Sequence, residues 1–189
     1  MKLYMVRHGE SQTNFERRFT GQADALLTDK GRADARKAGE KLKDIHFDRI
    51  YSSDLSRAAD TARIALGREP VQLKVLRELD LGNLAWRTIA ECEEEYGEEL
   101  WKNRSAYNYK PYGGENEAEL QKRVRDFLTM LENDPCDRAI AFSHAGFITC
   151  TLTQVLGGTF DRKHIKCLNA SIAVFSYDGE KWALEQWGL

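Results

Sequence analysis

The chain has 189 residues, which is enough for one domain that buries about 70% of its unfolded surface without disulfides or a structural metal. Its net charge is -2 and 42% of its residues are hydrophobic, values that are ordinary for a globular protein. This balance argues against nucleic acid and anionic membranes as partners, because neither attracts a chain that lacks net positive charge. Any site for an anion must therefore be local.

The cysteines and the N-terminal residues indicate in which cellular compartment the protein is expected. Four cysteines stand far apart without a C-x-x-C pair: Cys92, Cys136, Cys150 and Cys167. The segment MKLYMVRH lacks the apolar stretch of a signal peptide, and no apolar run approaches membrane-spanning length. We expect a cytoplasmic protein whose thiols are reduced and serve mainly in packing.

Short apolar runs alternate with longer segments of helical period in the first part of the chain. Residues 3–6 (LYMV) are predicted as the first strand. A helix is predicted from the N-cap Thr28, with its apolar face at Ala35, Ala38, Leu42 and Ile45. Residues 47–53 (FDRIYSS) are predicted as the second strand.

The next helix is expected to be capped by Ser53 or Asp54. It carries a stripe of small residues that can lie close to a sheet: Leu55, Ala58, Ala62 and Ala65. A third short strand is predicted over residues 71–76. Residues 82–111 are richer in charge and aromatic side chains, and they predict a helical insertion within a single domain of residues 1–189.

The remaining elements complete an α/β pattern. A long helix is predicted from Glu117 to just before Asn133, then a strand over 138–144 and a helix as far as Gly157-Gly158. The chain closes with an antiparallel hairpin that turns at Asp178-Gly179. The predicted fold is α/β with three layers, in which helices cover both faces of a mostly parallel central sheet.

The tripeptide Arg7-His8-Gly9 follows the first predicted strand. A guanidinium beside an imidazole disfavours its charged form, so His8 would keep a free lone pair to attack phosphorus. Arginine also matches the geometry of phosphate oxygens. Consecutive residues of a regular strand point to opposite faces, so Arg7 and His8 can share one phosphate only if the strand ends between Val6 and Gly9. We expect Gly9 to make this break.

Other predicted strand ends supply matching groups. His144 follows a later strand, Arg57 lies one turn into the helix after the second strand, and Glu78 lies just past the third. In open α/β sheets, ligands bind at the carboxyl ends of the strands, where these side chains can converge.

Six segments resemble, in order, the sequence blocks of the histidine phosphatase superfamily: RHGESQTN, FTGQADALLTDKG, YSSDLSRAADTA, LRELDLGNL, GGEN and FSHAGFI. The resemblance spans residues 3–175. It implies that His8 is the phosphorylated nucleophile and Glu78 the proton donor. It assigns the rest of the phosphate pocket to Arg7, Arg57 and His144, and further phosphate or substrate contacts to Asn14, Thr20 and Gly21, with Gln22 beside them.

Phosphoryl transfer develops negative charge on the equatorial oxygens, so positioned cations stabilise its transition state. Arg7, Arg57 and a protonated His144 would supply them, and no metal or other cofactor is expected. The leaving oxygen needs an acid that holds its proton near neutral pH, which the resemblance assigns to Glu78. Asp80, two residues on, remains the alternative donor.

The chain departs from many members at two places. Trp86-Arg87 stands where a Glu-Gly pair is usual, and Glu115-Asn116 where Gly-Glu-Ser is usual. Both segments are expected near the non-phosphate part of the substrate, with Glu115 near the pocket. The four tryptophans are expected as core or interface anchors: Trp86, Trp101, Trp182 and Trp187. A small phosphorylated metabolite is the expected partner, and a homodimer is the expected assembly.

The function predicted from these residues is a phosphomonoester phosphatase that acts on a small phosphorylated metabolite, such as a sugar phosphate or a ribazole phosphate. A phosphoglycerate mutase is the alternative, but it must exclude water from the phosphohistidine, and the short insertion at 82–111 favours a wetter site. A non-catalytic phosphate-binding protein is a further alternative. It would be indicated by loss of the nucleophile or of an arginine, and none is missing.

Overall fold

The computed structural model describes residues 1–157 and 164–189. Its centre is a six-stranded sheet with the order β3-β2-β4-β1-β5-β6. The strands are β1 (Lys2–Arg7), β2 (Arg49–Ser52), β3 (Val71–Gln72), β4 (Arg138–Ser143), β5 (Ile172–Tyr177) and β6 (Trp182–Trp187). The first four strands of that order are parallel, whereas β5 pairs antiparallel with β1 and β6 antiparallel with β5.

Six α-helices lie among the described residues: α1 (Gln12–Phe15), α2 (Asp29–Leu42), α3 (Ser56–Leu66), α4 (Ile89–Ser105), α5 (Glu117–Asn133) and α6 (Ala145–Leu156). None of these helices combines the length and apolar character needed to cross a bilayer. Thr28 caps α2 as predicted, since its hydroxyl accepts a hydrogen bond from the Gly31 amide at 3.0 Å.

Two cores lie on opposite faces of the sheet, because successive strand residues point to opposite sides. On one face, Leu3 and Met5 pack with apolar residues of α5 and α6, such as Phe127 and Phe147. On the other, Val6 packs with residues of α2 and α3. The predicted α/β fold of three layers, with a mostly parallel sheet and a C-terminal antiparallel hairpin, is confirmed.

The first strand ends where the shared phosphate site requires. β1 stops at Arg7, so His8 and Gly9 lie outside the ladder. A Cβ on Gly9 would come within 2.2 Å of the Gly31 carbonyl oxygen, so only glycine allows this turn to pass against the start of α2. The expected break before Gly9 is confirmed.

The structure corrects two local predictions. The strand predicted over residues 71–76 is only two residues long, and Lys74–Leu76 forms a 3-10 helix instead. The cap of α3 is neither Ser53 nor Asp54. Asp24, 32 residues upstream, accepts hydrogen bonds from both the amide and the hydroxyl of Ser56 at 2.7 Å.

The remaining predicted boundaries need little change. Gly157 is the C-cap of α6, and Gly158 lies outside the described residues. Residues 82–111 contain a 3-10 helix (Gly82–Leu84) and α4, which kinks at Gly97 with a φ of 52°. The tryptophans of this segment are not core anchors, because Trp86 is 45% exposed and Trp101 is 39% exposed.

The Asp24 cap gives a test of how the loop before α2 is fixed to α3. We predict that Asp24→Ala lowers the free energy of unfolding by about 1 kcal/mol, because it leaves the amide and the hydroxyl of Ser56 without their side-chain acceptor. The melting temperature should fall by about 2–4 °C. Asp44→Ala, at an exposed position beyond α2, is the control and should leave the melting temperature unchanged. Equal melting temperatures for both variants would contradict the long-range cap.

Candidate active site

The two strand-end histidines lie side by side because β1 and β4 are parallel neighbours. Arg7 is in register with Ser143, so the next residue of each strand, His8 and His144, follows at the same edge of the sheet. The His8 amide donates to the Ser143 carbonyl at 3.0 Å, and the ring centroids of the two histidines are 5.1 Å apart. The pairing of the strands thus brings together residues that are far apart in sequence.

Two contacts define the tautomer of His8. Its Nδ1 lies 2.6 Å from the Gly9 carbonyl oxygen, which can only accept, so Nδ1 carries the proton. Its Nε2 accepts from the Nε of Arg57 at 3.3 Å. The unprotonated nitrogen therefore faces the guanidinium group. Asn169 holds the backbone here, because its side chain donates to the His8 carbonyl at 3.0 Å and to the Asn14 side chain at 3.3 Å.

Arg57 is almost fully buried, at 1% exposure, near the start of α3. Its Nη1 donates to the Ala23 carbonyl at 2.6 Å, and its Nη2 donates to the Gly21 carbonyl at 2.8 Å. Burial lowers the pKa of Arg57 to about 10, so the guanidinium stays cationic at neutral pH. Gly21 adopts a positive φ of 51°, which turns the loop toward α3.

Arg7 and His144 contribute polar atoms that have no partner among residues 1–157 and 164–189. Arg7 donates from Nη1 to the Cys167 carbonyl at 2.5 Å, whereas its buried Nε makes no hydrogen bond to the described residues. Both ring nitrogens of His144 are also buried and unpaired within the described part of the chain. An unpaired buried polar group costs about 1–3 kcal/mol, so these atoms indicate a polar ligand.

The electrostatic setting keeps both imidazoles neutral. Burial, followed by the charges of Arg57 and Arg7, holds the pKa of His8 well below its ordinary value. Burial and Arg57 are also the main causes that hold the pKa of His144 well below its ordinary value. The sequence-based expectation of a protonated His144 is therefore not met in this setting. A phosphate anion among these groups would act in the opposite direction and favour protonation.

Glu78 is the carboxylate that reaches the same cavity. Its Oε2 accepts from the Gly146 amide at 3.1 Å, and its Oε1 accepts from the Leu79 amide at 2.9 Å. A Cβ on Gly146 would lie 2.2 Å from Oε1, so the glycine leaves room for the carboxylate. Asp80 instead accepts from the Gly82 amide at 2.9 Å and is outside the described cavity wall. The geometry favours Glu78 over Asp80 as the acid.

The predicted substrate-contacting residues divide into two groups. Asn14, Thr20 and Gly21 line the cavity with Arg7, His8, Arg57 and Glu78. Gln22 lies outside its described wall, because its amide donates to the Glu78 carbonyl at 3.1 Å and accepts from Arg77 at 3.3 Å. Glu115 is also outside that wall, and it pairs with Arg123. His144 is fully buried beside the His8 ring. It is not among the residues that line the cavity.

The cavity has a volume of about 630 Å³, which is within the usual range for a small-molecule site. Its wall also includes residues that the sequence did not indicate as site residues: Arg18, Phe19, Leu81, Trp101, Arg104 and Tyr109. The Arg104 guanidinium lies 5.0 Å from the Trp101 ring and 5.6 Å from the Phe19 ring, which are cation-π distances. Burial raises the pKa of Tyr109 to about 12, so its phenol stays protonated.

A metal site is not evident in the described ranges, where no three His, Cys, Asp or Glu side chains are grouped to hold an ion. The positive charge of the cavity comes from arginine side chains. These are the charges that a phosphate group requires.

Comparison with known proteins identifies the family. The model of the histidine phosphatase superfamily (branch 1) matches residues 3–189. The protein belongs to the histidine phosphatase superfamily. This confirms the family predicted from the RHGESQTN and FSHAGFI segments.

Individual relatives cover nearly the whole chain. It is 35% identical over 195 residues to a probable phosphoglycerate mutase of Salmonella paratyphi A, an alignment that covers 99% of this chain and 90% of the relative. It resembles the structure of a mycobacterial glucosyl-3-phosphoglycerate phosphatase with a TM-score of 0.86 at 28% identity, covering 99% of this chain and 98% of that one. A putative alpha-ribazole-5'-P phosphatase from Escherichia coli gives a TM-score of 0.91 at 25% identity, with 100% and 96% covered.

The neutral histidine pair predicts a pH dependence of stability. Both folded-state pKa values lie below the ordinary value of 6.5, so unfolding takes up protons once the pH falls below it. Stability that is fully present above this pH is then lost as the pH falls from about 7.5 to about 5.5, by roughly 1 kcal/mol per histidine.

Urea unfolding at the two pH values measures this loss, with His8→Gln and His144→Gln each expected to reduce it. His46→Gln is the matched control, because the side chain of His46 is 79% exposed. Equal pH dependence in the wild type and both buried-histidine variants would contradict the neutral pair.

Proposed function

We propose that this protein is a metal-independent phosphatase that hydrolyses a small phosphomonoester through a phosphohistidine at His8. The observation that carries the proposal is the placement of the unprotonated Nε2 of His8 beside the buried guanidinium of Arg57 in the wall of a cavity. A neutral imidazole supplies the lone pair, and the fixed cation attracts the phosphate. The family and the phosphatases among its structural relatives support the same chemistry.

In the first step, the Nε2 lone pair of His8 forms a bond to phosphorus while the bond from phosphorus to the alcohol oxygen breaks. The carboxyl group of Glu78, in its protonated form, transfers its proton to the departing oxygen, so that the alcohol leaves neutral. Arg7 and Arg57 stabilise the charge on the equatorial oxygens without reorganising. The unpaired ring nitrogens of His144 are the remaining hydrogen-bonding groups for this charge.

In the second step, water attacks phosphorus and the bond to His8 breaks. The Glu78 carboxylate takes a proton from the attacking water, and the lone pair returns to Nε2. Inorganic phosphate then leaves, and Glu78 is protonated again for the next turnover. One carboxyl group thus acts as acid and then as base.

The outer wall supports a substrate whose alcohol part is small and polar. Within the described ranges no carboxylate pairs with Arg104, which is held between two aromatic rings and faces the cavity. Such a cation favours a substrate with a second anionic or hydroxyl-rich group beyond its phosphate. Two structural relatives are named as phosphatases for glucosyl-3-phosphoglycerate and, putatively, for alpha-ribazole-5'-P, both of which are phosphorylated metabolites.

A phosphoglycerate mutase is the second candidate, because the curated relatives at 35% identity carry that name. A mutase must protect the phosphohistidine from water and return the phosphate to the substrate. In this chain, α4 provides one side of the cavity, and Trp101 on it remains 39% exposed. This exposed rim favours the entry of water and hence hydrolysis.

To test this proposal, purified protein is incubated with 3-phosphoglycerate and, in a separate assay, with an aryl phosphate. Both assays contain a metal chelator. We predict phosphate release in both cases and acid-labile labelling of the protein by radioactive phosphate. His8→Ala should lose both signals by at least about 1,000-fold, whereas the exposed His46→Ala keeps them. Isomerisation of 3-phosphoglycerate without phosphate release would indicate the mutase. Labelling that survives in His8→Ala would refute the nucleophile.

The sequence-based expectations of a cytoplasmic location and of a homodimer stay predictions. The absence of a metal requirement is likewise a prediction, and the chelator in the assay tests it.

A further inference from the structure

We propose that Arg123, anchored by Glu115, is a positioning residue that holds Glu78 at the reacting oxygen. This inference rests on the proposed function, since it concerns the acid of that reaction. Neither residue lines the described cavity wall, and both act through the backbone that carries Glu78.

Arg123 reaches from α5 into the segment that contains Glu78. Its Nη1 donates to the carbonyl oxygens of Val75 at 2.9 Å and Arg77 at 2.7 Å, and its Nη2 donates to that of Glu78 at 3.1 Å. The remaining hydrogen bonds go to Glu115, from Nε at 3.0 Å and from Nη2 at 2.7 Å. The five bonds equal the five N–H groups that a guanidinium offers, so its geometry is fixed in every direction.

Glu115 extends the same clamp to the other side of Glu78. Its Oε2 accepts from the Asp80 amide at 3.0 Å, while its own amide donates to the Asp80 carbonyl at 2.9 Å. The side chains of Arg123 and Glu115 are only 17% and 21% exposed, so water screens their ion pair less than a surface pair. The backbone is therefore held on both sides of Glu78.

This clamp matters because residues 77–81 belong to no helix or strand. Contacts from other elements therefore fix this segment. Gln22 is a second donor to the Glu78 carbonyl oxygen, and the Gly146 amide of α6 holds the Glu78 carboxylate. A carboxyl group displaced by about 1 Å can lose about 100-fold in proton transfer to the leaving oxygen. The contacts of Arg123 should therefore affect proton transfer from Glu78 to the leaving oxygen more than they affect binding of the phosphate.

Leaving groups of different acidity distinguish a positioning role from a general loss of structure. Expulsion of the alcohol from 3-phosphoglycerate needs a proton, whereas expulsion of dinitrophenolate from 2,4-dinitrophenyl phosphate does not. The value of kcat/KM covers the steps through loss of the alcohol, so it excludes the later hydrolysis of phosphohistidine. We predict that Arg123→Met lowers kcat/KM about 30- to 100-fold for 3-phosphoglycerate and less than about 3-fold for the dinitrophenyl ester.

Three further variants sharpen the comparison. Glu78→Gln should show the same dependence on the leaving group, and Arg123→Lys should restore only part of the loss because lysine lacks the fork of donors. Arg125→Met is the matched control, since Arg125 is an exposed arginine on the same helix, and it should retain wild-type values for both substrates.

An equal loss for both substrates in Arg123→Met, or no loss for either, would overturn the positioning role. Should Arg123→Met fail to fold, Glu115→Gln gives the same comparison with smaller disturbance, and the same outcomes decide it. Failure of the proposed function is distinguishable from these results, because the wild type would then isomerise 3-phosphoglycerate without releasing phosphate, or His8→Ala would keep its phosphate release.

Discussion

The pairing of β1 with β4 is the constraint on which the site depends. These two strands are parallel, adjacent and in register from Lys2 with Arg138 to Arg7 with Ser143. Because both end at the same level, the residues that follow them meet at one edge of the sheet. A slip of one residue would turn each side chain of a strand to the other face and separate the two histidines. The apolar residues on both faces of β1 and β4 fix the register and thereby the geometry of the candidate active site.

Burial of positive charge among neutral imidazoles is the second requirement. Arg57 is nearly inaccessible to water, and its guanidinium donates to two loop carbonyls and to His8, which offsets part of the cost of desolvation. Burial, followed by this charge, lowers the pKa values of His8 and His144. In the proposed reaction, one buried cation would both attract the phosphate and help to keep His8 unprotonated, although the whole chain has a net charge of -2.

The features that the sequence could predict are those with a local cause. Thr28 caps α2 from three residues before Gly31, and the end of β1 follows from the turn at Gly9. Contacts between residues that are distant in sequence have no local sequence pattern from which they could be predicted. The hydrogen-bond acceptor at the start of α3 comes from Asp24, which is distant in sequence. Arg104 belongs to no sequence motif, so its position against the rings of Phe19 and Trp101 could not be predicted. Gln22 likewise could not be placed from the sequence, because tertiary contacts direct its side chain to Glu78 and Arg77 and away from the cavity.

The central claim is that His8 is neutral, with its proton on Nδ1 and a lone pair on Nε2. The most direct measurement is the nitrogen NMR spectrum of histidine-labelled protein, recorded as the pH is lowered and assigned with His8→Gln. We expect His8 to give the signals of the neutral Nδ1–H tautomer at neutral pH and to keep them well below pH 6.5, the ordinary pKa of histidine. An imidazolium at neutral pH, or a proton on Nε2, would contradict the account.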